Sequence, residues 1–453
     1  MFDKVLVANR GEIAVRIIRT LKALEIASVA IYSSVERDSP HVHLADEAIQ
    51  IGSGGSVRES YLLADDIIAA ALSTGSQAIH PGYGLLSENA EFVRKVEAAG
   101  LVFIGPSAEA MDAMGSKISS RALMRAAGVP IVPGTTSALN SLADARVVSA
   151  EIGYPVAIKA SGAGGGKGFR IAETEDELAR AYEGASGEGE RFFGDATVYV
   201  ERYLKNPRHV EIQILCDTHG NSVHLFERDC SVQRRHQKLV EESPAPAIDD
   251  ALREEIGQIG LAAAKAVGYT SAGTVEGLLV DGEYYFLEMN TRIQVEHSVT
   301  EMVTGVDIVA EQILIAAGQK LSFGQGDLRL NGHAIECRIN AESASKNFVP
   351  SPGTVTEYHE PVGEHIRVDS GVENGSIVHP YYDPLLAKLI VWGTDRADAT
   401  SRMLSALDDY RITGIRTLLP FHRRLLATEQ WSAGETCKDL VEDRAWLRTV
   451  QDS

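Results

Sequence analysis

Five polar side chains recur at every second position of the segment Phe286–His297: Glu288, Asn290, Arg292, Gln294 and Glu296, with mostly apolar residues between them. In an extended segment successive side chains alternate faces, so these five would form one row. Their order has chemical meaning. A carboxylate and an amide come first, hard oxygen donors of the kind that hold Mg²⁺ or Mn²⁺ against phosphates. A guanidinium follows, then a second carboxylate. Such a row suits a metal-bound polyphosphate beside a small anion that must lose a proton. The plain alternative is an amphipathic edge strand.

A further carboxylate, Glu276, lies upstream in Thr274–Val280, and Asp281-Gly282 separates that run from Glu283–Glu288. Two apolar runs around Asp-Gly predict a β-hairpin. A two-residue Asp281-Gly282 turn pairs Val280 with Glu283, setting Glu276 opposite Leu287 and on the face away from Glu288. A three-residue loop, Val280 to Gly282, pairs Leu279 with Glu283. Glu276 then shares a face with Glu288, diagonal to it at roughly 7–8 Å. The chemistry needs the shared face, so the three-residue loop is expected, with Glu276, Glu288 and Asn290 as metal ligands.

Lys159 lies near the end of the strand pattern Tyr154–Ala160, which opens onto Ser161-Gly162-Ala163-Gly164-Gly165-Gly166-Lys167-Gly168. Glycine permits inward-pointing amides and close approach to phosphates. The run is not a Walker A loop, because Gly168 follows Lys167 where Ser or Thr would stand. Strand patterns on both sides predict a β-hairpin lid instead of a linker. Val198–Leu204 is an apolar strand stopped by Glu201, where backbone groups can hold an adenine and the acid a ribose; a core strand with a capping charge is the alternative. Arg208–Gln213 and Arg228–Lys238 gather cations and donors in an acidic protein, the second run holding four Lys/Arg plus His236. A solvated basic loop would look the same, but just before the hairpin of Glu276 and Glu288 the run is expected to serve phosphate and a small oxyanion. His80–Gly84 reads as a tight turn at a strand's C-terminal end, where α/β folds bind ligands. Glu336, Arg338 and Asn340 share one face of a strand His333–Asn340, or else a surface face.

At 453 residues the chain should form two or three domains. Hydrophobic content of 44% and charged content of 23% are ordinary for a globular protein. The formal charge of −20 (43 basic against 63 acidic residues) argues against broad binding to nucleic acid or anionic membrane. No apolar run approaches the roughly 20 residues of a membrane span. Met1–Ala8 runs straight into a strand pattern with no basic leader, and the four cysteines lack zinc-type or C-x-x-C spacing, so a cytoplasmic protein with reduced thiols is expected. Lys4–Ala8, a helix from Gly11 with Ile13, Ile17, Leu21 and Leu24 at helical spacing, and Ser28–Tyr32 make a βαβ unit. Ala78–His80 and Val102–Ile104 add buried strands, predicting a doubly wound α/β domain over the first ~115 residues. A helix at Lys117–Ala127 follows. Strands are expected again at His333–Asn340, Gly353–His359 and Leu386–Val391.

Taken together, Lys159 with its glycine loop, Glu201–Leu204, Arg228–Lys238 and Glu288–His297 resemble biotin carboxylase, an ATP-grasp enzyme. The likeness also takes in Ala8–Ala14, His80–Gly84, Ser87–Ala90 and Glu336–Asn340, and runs from residue 2 to about 430. Three departures stand out. Leu85 occupies a usual Phe position, Ala163 interrupts the glycines, and Phe169 replaces a usual Met. The fold implied is multidomain, α/β and α+β. It has an N-terminal doubly wound α/β domain at 1–115 and a central ATP-grasp region at 116–325, whose glycine-rich β-hairpin lid lies at about 130–203. A C-terminal strand-rich biotin carboxylase domain fills 326–453.

The reaction implied has two steps: MgATP phosphorylates bicarbonate to carboxyphosphate, and the carboxyl group passes to the ureido nitrogen of biotin. By matching position, Lys117, Lys159, Gly165, Gly166, Glu201, Arg202, Tyr203, Leu204, His209, Gln233 and His236 would bind ATP. Glu276 and Glu288 would ligate one Mg²⁺ (or Mn²⁺), and Glu288 with Asn290 a second. Lys238, Arg292 and the Val295 amide would hold bicarbonate for Glu296, the general base. Arg338 would stabilise the enolate-like ureido oxygen, with Tyr83 and Gln294 contacting biotin. On the row reading, Arg292 also keeps Glu296 ionised.

The chain has no Met-Lys-Met biotin-attachment loop and ends soon after the matching region. Biotin is therefore expected on a separate biotin carboxyl carrier protein, with carboxyltransferase subunits as further partners and a homodimer as the assembly. Acetyl-CoA carboxylase and fatty acid synthesis are the expected setting; propionyl-CoA and pyruvate carboxylases are alternatives. Another ATP-grasp ligase would share the hairpin and lid but lack the Arg292/Glu296/Arg338 set. A nucleotide sensor without activity is the remaining reading.

Overall fold

The structure, a computed structural model, describes residues 1–161 and 168–450. Gly165 and Gly166 of the expected lid lie outside the described residues. Strands β1 (Lys4–Val7), β2 (Ala27–Tyr32), β3 (Glu47–Gln50), β4 (Ala78–His80) and β5 (Val102–Phe103) form a parallel sheet in the order β3-β2-β1-β4-β5. The central β1 is covered on both faces, so Val5, Leu6 and Val7 are all buried and its sequence does not alternate. The helix Gly11–Ala23 turns Ile13, Ile17 and Leu21 inward, as their spacing requires. Just past β1, Asn9 Nδ2 donates to the carbonyls of Pro81 (2.7 Å) and Tyr83 (2.8 Å), fixing the turn that carries Tyr83.

A second sheet, antiparallel, is built from β6 (Val156–Ala160), β7 (Phe169–Ala172) and β8 (Val198–Arg202) in the order β7-β6-β8. Helices Leu142–Ile152 and Glu175–Phe193 contribute Ala145, Leu178 and Ala181 to its core. The third sheet holds most of the chemistry. Its strands are β9 (Arg208–Cys216), β10 (Ser222–Arg234), β11 (Gln237–Ser243), β12 (Ser271–Val280), β13 (Glu283–Asn290), β14 (His333–Asn340), β15 (Ile366–Ser370) and β16 (Leu385–Gly393). They run antiparallel in the order β13-β12-β9-β10-β11-β14-β16-β15. Pairing of β11 with β14 carries this sheet unbroken across residue 325. The single strand expected over Gly353–His359 is two short ones, Gly353–Thr354 and Glu357–His359, which pair with different partners.

Two expectations about the acidic hairpin are corrected. Val280 pairs with Glu283, so the turn is the two-residue Asp281-Gly282, with φ of +52° and +81°. Two successive positive φ values define the turn that matches strand twist, and Asp-Gly is suited to it. Glu276 nevertheless faces Glu288, because the register shifts between Gly277↔Phe286 and Glu276↔Glu288 and leaves Leu287 as an extra residue. A bulge of this kind resets which face later residues occupy. Gly277 accommodates it. A Cβ there would fall 2.2 Å from the Tyr284 ring, whose hydroxyl crosses to the Val275 carbonyl at 3.1 Å.

The five-residue row is also not one strand face. β13 stops at Asn290, Thr291 N is drawn to Glu88 (3.0 Å), and a helix begins at His297. Arg292, Gln294 and Glu296 stand on the connecting loop.

That helix, His297–Thr304, is locked by Glu301, which accepts from Arg16 at 3.1 Å and Arg367 at 2.7 Å. Burial opposes ionisation of Glu301, yet Arg16, His297 and Arg367 outweigh it and hold the carboxyl down to about 2. A depressed folded value stabilises the fold above the unfolded pKa of about 4.3, and the gain is lost as pH falls toward the folded value. Glu301→Gln should cost about 1.5–3 kcal/mol at neutral pH, the value of hydrogen bonds to a charged group, because Arg16 keeps Asp307 at 2.8 Å and Arg367 keeps Asp369 at 2.7 Å. Thermal melts should show a lowered midpoint at pH 7 and a shallower decline between pH about 4 and about 2.

Candidate active site

The large sheet lines up charged residues across four strands. Arg228 on β10 faces Glu211 on β9, Glu211 faces Glu276 on β12, and Glu276 faces Glu288 on β13. Cβ atoms in such pairs are about 4.5–5.5 Å apart. Arg228 is wholly buried and donates to Glu211 (2.6 Å), Gln213 (2.8 Å) and Thr300 (2.9 Å), so it braces the row from behind and does not reach a ligand. Glu276 takes Lys238 on one oxygen (2.9 Å) and His209 on the other (3.0 Å), with Gln294 Nε2 at 3.0 Å. Burial is outweighed by Lys238 and His209, and the Glu276 carboxyl is held well below the usual range. Glu288 is more open, with Lys117 Nζ 3.6 Å away.

Beside this row sits Glu296, fully buried and gripped from two sides. Lys238 Nζ donates to Oε1 at 2.6 Å and Arg338 Nη2 to Oε2 at 2.9 Å. Burial alone would raise its pKa; Lys238, Arg338 and Arg228 outweigh burial and keep the carboxylate ionised far below the usual range. Arg292 is not its direct partner. That guanidinium bonds Glu88 (2.9 Å), Gln294 (2.9 Å) and Asn290 (3.0 Å), spanning the gap between the acidic row and the loop.

The basic run Arg228–Lys238 is a hairpin, not a loop. β10 and β11 join through Arg235 and His236, both at positive φ (+50° and +67°), with Arg234 paired to Gln237. Arg234 turns aside to the Asn347 carbonyl and the Phe348 ring. Gln233, His236 and Lys238 face a cleft of about 1250 Å³. Burial, then the cations Lys159 and Lys117, hold His236 below its usual pKa and therefore neutral. Where the second sheet meets this cleft, Lys159 lies over Phe169, which adjoins Tyr203. Glu201 is paired to Lys159 and to Arg121 (3.0 Å), one cation on each oxygen. Arg202 sends its side chain to the Ile152 carbonyl. Tyr203 and Leu204 line the cleft, as do Gln294, Val295, Arg338 and Tyr83 at its other reaches. Leu85 lines it next to Tyr83, at φ +51°.

All the expected site residues among the described ones therefore border one cleft, except Glu296, which lies behind Lys238 and Arg338. Residues 1–111 match the biotin carboxylase N-terminal domain and 336–443 its C-terminal domain, while 116–323 match the carbamoyl-phosphate synthase L chain ATP-binding domain. Biotin carboxylase 1 of Bacillus subtilis is 52% identical over 96% of this chain and 97% of its own length. The chain belongs to the biotin carboxylase family. The biotin carboxylase of Haemophilus influenzae is likewise 52% identical, over 96% of this chain and 97% of its own length. The biotin carboxylase domain dimer of Hydrogenobacter thermophilus 2-oxoglutarate carboxylase, solved with MgADP, ADP and bicarbonate, superposes with a TM-score of 0.92 at 48% identity, covering 98% of this chain and 99% of its own.

As a biotin carboxylase the protein is an ATP-dependent ligase. Its residues fit a divalent cation. Glu276 and Glu288 face each other, and Asn290, in the next row, borders the same cleft with its Oδ1 accepting from Arg292 at 3.0 Å. All three offer hard oxygens to the cleft, where like charges need a cation between them. Several supports of this cleft were given no role from the sequence, although the first two lie in runs it singled out: Glu211, which holds Lys238 at 2.5 Å; Glu88, which holds Arg292; and Lys388, which donates to the Val295 carbonyl at 2.7 Å. Glu211 had a readable signal, an acid amid the apolar alternation of Arg208–Cys216. The four cysteines are all buried and unpaired. No helix among the described residues is long and apolar enough to cross a membrane.

Proposed function

We propose that this chain carboxylates biotin presented by a carrier protein, using MgATP and bicarbonate through carboxyphosphate, and that the cleft divides the work as follows. Tyr203, Leu204 and the backbone beside Glu201 receive the nucleotide base, while Glu201 orients Lys159 toward phosphates together with Lys117, His209, Gln233 and neutral His236. A divalent cation held by Glu276, Glu288 and Asn290 would supply charge neutralisation at the transferring phosphoryl oxygens. Lys238, Arg292 and the Val295 amide hold bicarbonate, and Glu296 removes its proton. Bicarbonate yields that proton only in strongly alkaline water, so a base in hydrogen-bond reach and flanking cations are both required. Carboxyphosphate gives CO₂ and phosphate, the phosphate takes the ureido proton, and Arg338 stabilises the negative ureido oxygen beside Tyr83 and Gln294.

The observation that carries this reading is the clamp on Glu296. Lys238 at 2.6 Å and Arg338 at 2.9 Å tie one buried carboxylate both to the acidic row and to the arginine at the biotin end. ADP release from MgATP should depend on bicarbonate and rise with free biotin. Release that depends on an amine would make the chain a different ATP-grasp ligase; nucleotide binding without turnover would make it a sensor. The acyl acceptor is chosen by a carboxyltransferase partner, and acetyl-CoA carboxylase is the setting we favour for a cytoplasmic homodimer. A biotinylated protein co-purifying with a propionyl-CoA or pyruvate carboxyltransferase would replace it.

A further inference from the structure

Behind Arg338 lies a pair of acids that the scheme above leaves unused. Glu241 on β11 and Glu336 on β14 stand directly opposite each other, and both are fully buried. Arg338 Nε donates to Glu241 Oε1 at 2.5 Å. The second oxygen of Glu241 and both oxygens of Glu336 have no hydrogen-bond partner among the described residues. The titratable and charged groups that face the pair are Arg338 and the Cys337 thiol on β14, Lys388 from β16, Lys238 from β11, the Cys230 thiol from β10 and Glu296 from the loop before the helix His297–Thr304.

None of these cations is spare. Arg338 is shared with Glu296, and Lys238 is bound to Glu211, Glu276 and Glu296. Lys388 donates to the Val295 carbonyl (2.7 Å) and Ser298 (3.0 Å), with the Glu12 and Asp369 carboxylates each 3.6 Å away. Two ionised carboxylates opposite each other in a dry sheet, three of their four oxygens without a donor among the described residues, repel too strongly for both to persist. Carboxylate dyads resolve this by keeping one proton between them. Burial, opposed by Lys388 and reinforced by Glu241, pushes the Glu336 carboxyl far above the carboxylate range. Burial likewise outweighs Arg338 at Glu241, which rises to about 7.

We propose that Glu241 and Glu336 share a single proton and act as a positioning pair for Arg338, presenting it with one negative charge instead of two. The inference rests on the reading of Arg338 as the group that meets charge on the ureido oxygen. With the proton in place, the guanidinium is steadied by one charge from the pair and one from Glu296, and keeps enough positive field for the substrate. Loss of that proton adds a third anion, draws the guanidinium onto the sheet and slows biotin carboxylation.

The test compares the full chain with Glu336→Gln, and with Glu336→Leu should the amide fail to fold. At pH 8 the wild-type infrared spectrum should contain a protonated carboxylic-acid C=O band that either variant lacks, because Glu241 alone beside Arg338 ionises. The alkaline limb of biotin-dependent turnover should move up by about one pH unit or more in the variant, with KM for ATP unchanged. Identical wild-type and variant spectra in the acid C=O region, or an alkaline limb that stays in place, would overturn the proposal. The infrared readout needs no turnover, so it separates from the reading of Arg338: loss of bicarbonate-dependent ADP release would sink that reading and leave the band where it is.

Discussion

Glu296→Ala lowers bicarbonate-dependent ADP release by about 10²–10⁴-fold, the range expected when a positioned general base is removed. ATP still binds, because Lys117, Lys159, His209 and His236 border the cleft independently of Glu296. The fold also survives the change. Lys238 keeps Glu211 at 2.5 Å and Glu276 at 2.9 Å, and Arg338 keeps Glu241 at 2.5 Å, so neither cation is left buried without a partner. Glu296→Gln discriminates further. It preserves the shape of the clamp and loses only the basic electron pair, so a comparable fall in rate assigns the loss to proton removal. Nucleotide affinity is read by titration calorimetry and turnover by coupled ADP release. Full turnover in either variant would transfer the base role to another group.

Much of this site was legible because its chemistry is local in sequence. Lys159 with its flanking strands, the Asp-Gly turn and the oxygen-bearing Glu276, Glu288 and Asn290 each sit in a short pattern with a physical meaning. The bulge at Leu287 was not legible, since it depends on a tyrosine ring crossing a glycine on the neighbouring strand. The expected loop length was therefore wrong although the facing acids were found. Glu296 failed as the end of a one-strand row for a similar reason. Its partners Lys238 and Arg338 lie 58 and 42 residues away in sequence, and only the order of strands in the large sheet brings them together. The cationic run Arg228–Lys238 misled in the opposite direction. Strand alternation and the turn split it, so that Arg228 is a wholly buried brace while Lys238 reaches the cleft. Spacing identifies which groups are available; long-range pairing decides which of them meet.

Neutralising either acid of the facing pair, in Glu276→Gln or Glu288→Gln, should cut MgATP-dependent ADP release by about 10²–10³-fold. A catalytic cation supplies several kcal/mol of charge stabilisation, and each 1.36 kcal/mol is about tenfold in rate. The two variants should differ in kind. Glu288 is half-open to the cleft, with Lys117 at 3.6 Å its ion-pair partner among the described residues, so its loss should weaken the cation with little effect on the fold. Glu276 is buried between Lys238 and His209, and its loss also strips His209 of the carboxylate that raises its pKa against the effect of burial. Glu276→Gln should therefore lower the thermal midpoint as well as the rate, and Glu288→Gln the rate alone. Electron paramagnetic resonance of Mn²⁺ titrated into the protein with nucleotide reads the cation directly, and both variants should leave more of the ion free. Wild-type Mn²⁺ affinity in Glu288→Gln would remove this acid from the ligand set. The facing register would then hold two acids together for Lys117, Lys238 and His209, and the phosphoryl chemistry would need its cation elsewhere in the cleft.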